Sequence, residues 1–167
     1  MRVWSRGDDD KEVRCSLDVK AKKLEVSGIL GSVVQVFKGS DIIFGENQML
    51  LKSKSSYGYV IARIKSLLEG VQRGYFLELQ LVGRGYRFIN LKDYLVVKLG
   101  SLYGLQFKKP SGVYIFSSRT KLVIFGLDLE EVNRVGNIIK GFKRPDAYKG
   151  KGIRAAGDII KIKAGKK

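Results

Sequence analysis

The residues best equipped for chemistry lie in Phe142–Arg154, FKRPDAYKGKGIR, where Lys143, Arg144, Lys149, Lys151 and Arg154 face one acid, Asp146. Cations of this density attract phosphates, and glycines let a backbone approach a ligand closely or adopt positive φ. Gly150 and Gly152 alternate with the cations, Pro145 fixes the entry, and Tyr148 offers a ring on which a base or sugar can pack. The segment therefore reads as one that lies against RNA.

A second candidate is Gly83-Arg84-Gly85-Tyr86-Arg87. It lacks the third glycine of the dinucleotide fingerprint, and no phosphate-loop Gly-Lys-Ser/Thr occurs in the chain. A glycine-rich bend between strands, close to another backbone, is one role; phosphate contact by Arg84 and Arg87 is the other. Catalysis has no candidate residues. Histidine is absent, the acids are scattered, and the lone Cys15 has no histidine partner. No metal-ligating or cofactor-binding set is expected either; Asp8-Asp9-Asp10 lacks calcium-loop spacing and reads as a solvated terminus.

The formal net charge of +16 favours a polyanionic partner, nucleic acid first and an anionic membrane surface second. Residues 1–73 carry 13 Lys/Arg against 9 Asp/Glu, a net of +4, while residues 74–167 carry 19 against 7, a net of +12. The polyanion is thus expected on the second half. A single cysteine excludes an intramolecular disulfide, and no apolar run is long enough for a membrane span. The first twelve residues lack an apolar signal core and are acidic for a transit peptide, so function in the compartment of synthesis is expected.

The elements that must position these residues follow from hydrophobic periodicity. Short alternating runs between Val13 and Leu51 predict strands and hairpins, with a turn at Lys38–Asp41 and helix N-cap candidates in 52–56. Tyr57, Val60, Ile61, Ile64, Leu67, Leu68 and Val71 predict a helix over 57–71, with Arg63, Lys65, Ser66 and Glu69 on its other faces. Strands are predicted at 75–82, 86–89, 94–99, 105–107, 113–116 and 120–125. A second helix starts at Asp128, with Glu131 completing a capping-box pattern and Gly141 as its C′ residue. Its stripe is Leu129, Val132, Val135, Ile138 and Ile139. The segment 157–167 reads as a strand feeding a flexible basic terminus.

The two halves share an order, and a shift of 71 residues places Leu24 on Leu95, Val26 on Val97, Ile64 on Val135, Leu67 on Ile138 and Gly70 on Gly141. The expected fold class is α+β: two tandem, structurally similar domains, each a small, mostly antiparallel sheet with one helix packed on a face. The expected divisions are a mobile lead at 1–12, an N-terminal domain at 13–74, and a C-terminal domain with a basic RNA-binding tail at 75–167.

Residues Arg144–Arg154, RPDAYKGKGIR, resemble the C-terminal signature of the sixth large-subunit ribosomal protein family in its bacterial and organellar form. Leu79–Arg87, LQLVGRGYR, resembles that family's second hallmark at the expected upstream distance. The resemblance spans roughly residues 13–167. It implies two related α+β domains, binding to large-subunit ribosomal RNA chiefly through the second, and a place near the sarcin–ricin loop and stalk base where translational GTPases dock. Neighbouring ribosomal proteins are the other implied partners, and the implied role is structural. Arg84 stands where the family usually has a small or apolar residue, Gly100–Gly104 lacks the usual His-Pro pair, and Ala155 replaces a frequent aromatic. With 21 Lys, 14 Ile, 6 Ala and no His, the composition points to an AT-biased organellar genome and a mitochondrial ribosome, with a bacterial cytoplasm or another organelle as alternatives. The competing function is a non-ribosomal basic adaptor for other nucleic acid or an anionic membrane.

Overall fold

The computed structural model describes residues 13–18, 23–36, 42–45, 48–51 and 54–163. The acidic lead at 1–12, the turn at 38–41, residues 52–53 of the cap candidates and the terminal 164–167 lie outside them. The chain forms two compact units. One comprises residues 1–74 with 127–129; the other comprises 75–126 with 130–167.

In the first unit, β1 (Arg14–Asp18), β2 (Lys23–Gly28) and β3 (Gly31–Val36) form an antiparallel sheet in that order. A separate hairpin, β4 (Ile42–Gly45) and β5 (Gln48–Leu51), precedes the helix α1 (Lys54–Arg73). Alternation along β2 buries Leu24 and Val26, and Val60, Leu67 and Val71 of α1 complete the core around them. The end of α1 lies directly on β2. A Cβ at Gly28 would sit 2.9 Å from the Val71 carbonyl oxygen, which also accepts a bond from Leu30 N at 3.2 Å. Gly74, at φ 71°, closes the helix by donating its N–H to the Gly70 carbonyl at 2.9 Å.

Arg63 is a correction to the helical pattern: expected off the apolar stripe, it is only 5% exposed. Its Nη1 and Nη2 donate to Asp128 Oδ1 and Oδ2, both at 2.6 Å, and Nε and Nη2 donate to Gln35 Oε1 at 3.0 and 2.7 Å. A guanidinium tolerates this burial because a bidentate carboxylate and an amide oxygen replace its water.

In the second unit, β6 (Tyr75–Val82) is followed by the antiparallel sheet of β7 (Tyr86–Asn90), β8 (Tyr94–Leu99) and β9 (Leu105–Lys108). Next come β10 (Val113–Ser117), β11 (Lys121–Gly126), α2 (Leu129–Gly141) and β12 (Gly152–Ala155). A second sheet has the order β10-β11-β6-β12, all antiparallel. Leu79, Leu122, Ile124, Val135, Ile139 and Ile153 centre the core of this unit, each at most 1% exposed. Helix and sheet touch closely at Gly136, where a Cβ would fall 2.1 Å from Leu77 Cδ2.

That close approach narrows the buried stripe of α2 to Val132, Val135, Gly136 and Ile139. Ile138, expected in the stripe, is 41% exposed because it points away from this face. Gly141 does not act as a left-handed cap. It is the last helical residue, without positive φ, and Phe142 N closes the helix onto the Ile139 carbonyl at 3.2 Å.

The fold class is α+β, and an element order recurs: a three-stranded meander, a hairpin and a helix. Leu24 and Val26 occupy the same buried positions of a central strand as Leu95 and Val97, 71 residues on. The helices match one residue later, at 72, where Val60 falls on Val132 and Leu67 on Ile139, all buried. A shift of 71 would instead pair buried Leu67 with exposed Ile138. The expected strand at 157–163 is absent. Regular pairing stops at Ala155, and Ile159 is 94% exposed.

Candidate nucleic-acid interface

Phe142 half-buries its ring edge-on to Phe107, with centroids 6.5 Å apart, fixing where the chain leaves α2. Asp146 then closes a tight loop. Its Oδ1 and Oδ2 accept from Tyr148 N and Lys149 N at 3.3 and 3.2 Å, its carbonyl accepts from Gly150 N at 2.9 Å, and its N–H donates to the Lys151 carbonyl at 2.9 Å. Gly150 turns the chain at φ 65°, in the left-handed region that favours glycine. The sole acid of the segment is thus engaged with backbone amides.

Gly152 was expected to bring the backbone close to RNA. In the structure its role is internal. At φ 148°, a Cβ there would lie 2.7 Å from both the Arg144 carbonyl oxygen and Pro145 Cα. Ile153, 1% exposed, follows as a hydrophobic anchor and donates its N–H to the Lys143 carbonyl at 2.9 Å. The segment therefore leaves a helix, crosses itself and enters a sheet.

This crossing leaves Lys143, Arg144, Tyr148, Lys149 and Lys151 exposed and Arg154 half-buried. Among the described residues, none of these five cations makes an ion pair or donates from its side chain. Five uncompensated charges on a hydrogen-bonded loop form a preorganised cationic surface, the ordering entropy having been met in folding.

The second candidate arrives at the same place. In the β6–β12 ladder Val82 is the partner of Gly152, so the Gly83–Gly85 bend follows β6 where the cationic loop enters β12. The bend packs on a ring instead of another backbone: Tyr86 lies against Gly83, where a Cβ would come 2.4 Å from its Cδ2, and near Gly100, where it would come 3.1 Å from Cε1. An open groove of about 590 Å³ is lined there by Tyr86, Arg87, Lys98, Gly100, Arg119 and their neighbours. Arg87 and Lys98 are direct cross-strand partners, like charges that an anion would relieve. Arg84 is exposed but does not line the groove. Lys98 and Arg119 escaped the sequence pattern because strand register brings Lys98 to Arg87, and the β10–β11 turn brings Arg119, whose carbonyl accepts from Phe88 N at 3.0 Å.

Elsewhere the chemistry is sparse. Desolvation pushes the half-buried Cys15 thiol up, away from reactive thiolate. No group of three or more His, Cys, Asp or Glu residues converges on a metal site among the described residues, and no helix there is long and apolar enough to cross a membrane.

Fold and site together define a small two-unit α+β protein whose second unit presents a built cationic loop. No family model matches the chain. It is 32% identical over 160 residues to large ribosomal subunit protein uL6 of Hydrogenobaculum sp. (strain Y04AAS1), covering 92% of this chain and 88% of that protein. It is likewise 31% identical over 169 residues to large ribosomal subunit protein uL6m of Reclinomonas americana (91% of each chain), and 32% over 154 residues to uL6 of Neisseria gonorrhoeae strain FA 1090 (91% and 87%). The chain belongs to the uL6 family of large-ribosomal-subunit proteins.

Proposed function

We propose that the chain is a structural component of the large ribosomal subunit that binds its ribosomal RNA through the second unit. Lys143, Arg144, Lys149, Lys151 and Arg154 contact phosphates, and Tyr148 packs on a base or sugar. Gly150 and Gly152 hold the loop in shape, and Arg84 and Arg87 extend the contact from the adjoining bend. The observation that carries this reading is the Asp146-centred loop, which holds uncompensated cations where both sequence motifs converge. Its location is near the sarcin–ricin loop and stalk base, among neighbouring large-subunit proteins and within reach of docking translational GTPases. The compartment we favour is the mitochondrion, on a composition rich in Lys and Ile and poor in Ala and His; bacterial and mitochondrial relatives are equally similar.

The test is the salt dependence of binding to large-subunit RNA. Replacing Lys149 and Lys151 together by glutamine is expected to weaken binding and reduce the log–log salt slope by roughly 0.7–0.9 per lost phosphate contact. An unchanged slope removes the loop from the interface. Sedimentation of the tagged chain with large subunits in moderate salt tests the ribosomal location, and recovery mainly free or with membranes would favour a non-ribosomal adaptor.

A further inference from the structure

The sheet β10-β11-β6-β12 packs α2 on one face, through Leu77, Ile124 and Gly136. On its other face Tyr114, Phe125 and Phe76 stand in one cross-strand row. Phe125 sits between the other two, with ring centroids 4.9 Å from Phe76 and 6.2 Å from Tyr114. Phe116 begins the next row, beside Val123. Phe76, Tyr114 and Phe116 are 70%, 62% and 61% exposed. A contiguous aromatic ridge open to water is unfavourable for an isolated protein and marks a surface that is covered in its working assembly.

Membership of a large-subunit protein family leaves two classes of cover, ribosomal RNA or another protein, and charge distinguishes them. RNA stacked on aromatic rings is held by cations that track its backbone. In these rows the carboxylate of Glu78 follows Val123, and the nearby Lys121 Nζ is 3.6 Å from Glu78 Oε1. The two aromatic rows thus hold no uncompensated cation and place an acid where a phosphate would run; Arg154 shares the face but stands opposite Gln80, in the row beyond Glu78. Aromatic residues at the centre with one compensated ion pair at the margin is the composition of a protein–protein interface. We propose that this ridge is the docking surface for an apolar segment of a second large-subunit protein, with Tyr114, Phe116 and Phe76 as anchors and Glu78–Lys121 at the rim. The cationic loop enters β12 opposite Val82, six residues or about 20 Å along β6 from Phe76, so the ridge lies at the other end of the strands from that loop. The inference rests on family membership and not on the RNA contacts.

The experiment places the photoreactive residue p-benzoylphenylalanine at position 114 or 116 of the full-length chain, and in parallel at Tyr148. The chains are incorporated into large subunits, which are purified and irradiated. The expected result at 114 and 116 is a protease-sensitive adduct with one large-subunit protein, mapping to an apolar segment. Its yield is expected to fall about tenfold or more when Phe76→Lys is added. A nuclease-sensitive adduct with ribosomal RNA, an adduct within the chain itself, an adduct to a charged segment, or no adduct at either position overturns the proposal. Position 148 reports on RNA separately, so failure there counts against the RNA reading alone. Unchanged thermal melting of the free Phe76→Lys chain excludes misfolding as the cause of a lost adduct.

Discussion

Gly152 and Pro145 are in backbone contact: a Cβ added to Gly152 would stand 2.7 Å from Pro145 Cα. The close approach holds the helix exit against the start of β12, so a glycine in the cationic loop maintains the loop's own crossing. Gly152→Ala combines a disfavoured φ of 148° with a clash against backbone, and should cost about 2–4 kcal/mol. Gly150→Ala meets open space and only the left-handed φ of 65°, at a cost of about 1 kcal/mol. Urea unfolding of both variants checks the order. Equal costs would show that the crossing can relax.

The Arg63–Asp128 pair is expected to respond asymmetrically. Asp128→Ala strips both carboxylate bonds from a guanidinium that is 5% exposed, for a loss of roughly 3 kcal/mol. Arg63→Met fills similar volume with apolar surface and leaves a carboxylate at 26% exposure that water can reach, so its cost should stay below about 1.5 kcal/mol. Matching losses in the two denaturation curves would mean that the pair itself, and not the avoidance of an unpaired buried charge, supplies the stability.

Periodicity made most of the framework legible, since strand alternation and helical stripes follow from which faces meet a core. It misplaced Arg63 because spacing along one helix does not reveal a carboxylate 65 residues away. It misplaced Ile138 because the glycine that brings α2 onto the sheet narrows the buried stripe. The cationic loop was visible as composition, but its shape was not. That Asp146 would satisfy four backbone bonds and Gly152 would press on Pro145 depends on the chain crossing itself. Lys98 was invisible because register brings it to Arg87, Arg119 because a turn between other strands does, and the aromatic ridge was hidden as Lys98 was: Phe76, Tyr114 and Phe125 become neighbours only across strands.

Arg87 and Lys98 oppose each other across β7 and β8. Removing one of two directly opposed like charges relieves repulsion, so Arg87→Gln should stabilise the free protein by a few tenths of a kcal/mol, on the order of 0.3. The same variant should bind large-subunit RNA more weakly if the groove holds phosphate. Thermal melting and a binding isotherm on one preparation test both signs. A stabilised variant with unchanged affinity would leave the groove outside the RNA contact.

Asp146 separates charge from shape as the source of affinity. Removing the only acid of Phe142–Arg154 raises the local positive charge, and on charge alone Asp146→Ala should bind RNA more tightly. Yet its carboxylate accepts from Tyr148 N and Lys149 N, and without it the loop must be ordered at the moment of binding. We expect preorganisation to dominate, with affinity about three- to tenfold weaker at fixed salt. The salt slope should stay unchanged because every cation is retained. Asp146→Asn, which keeps one acceptor oxygen, should fall between parent and alanine. Tighter binding by Asp146→Ala would mean that the segment works as a diffuse positive charge and that its hydrogen-bonded geometry is incidental to RNA recognition.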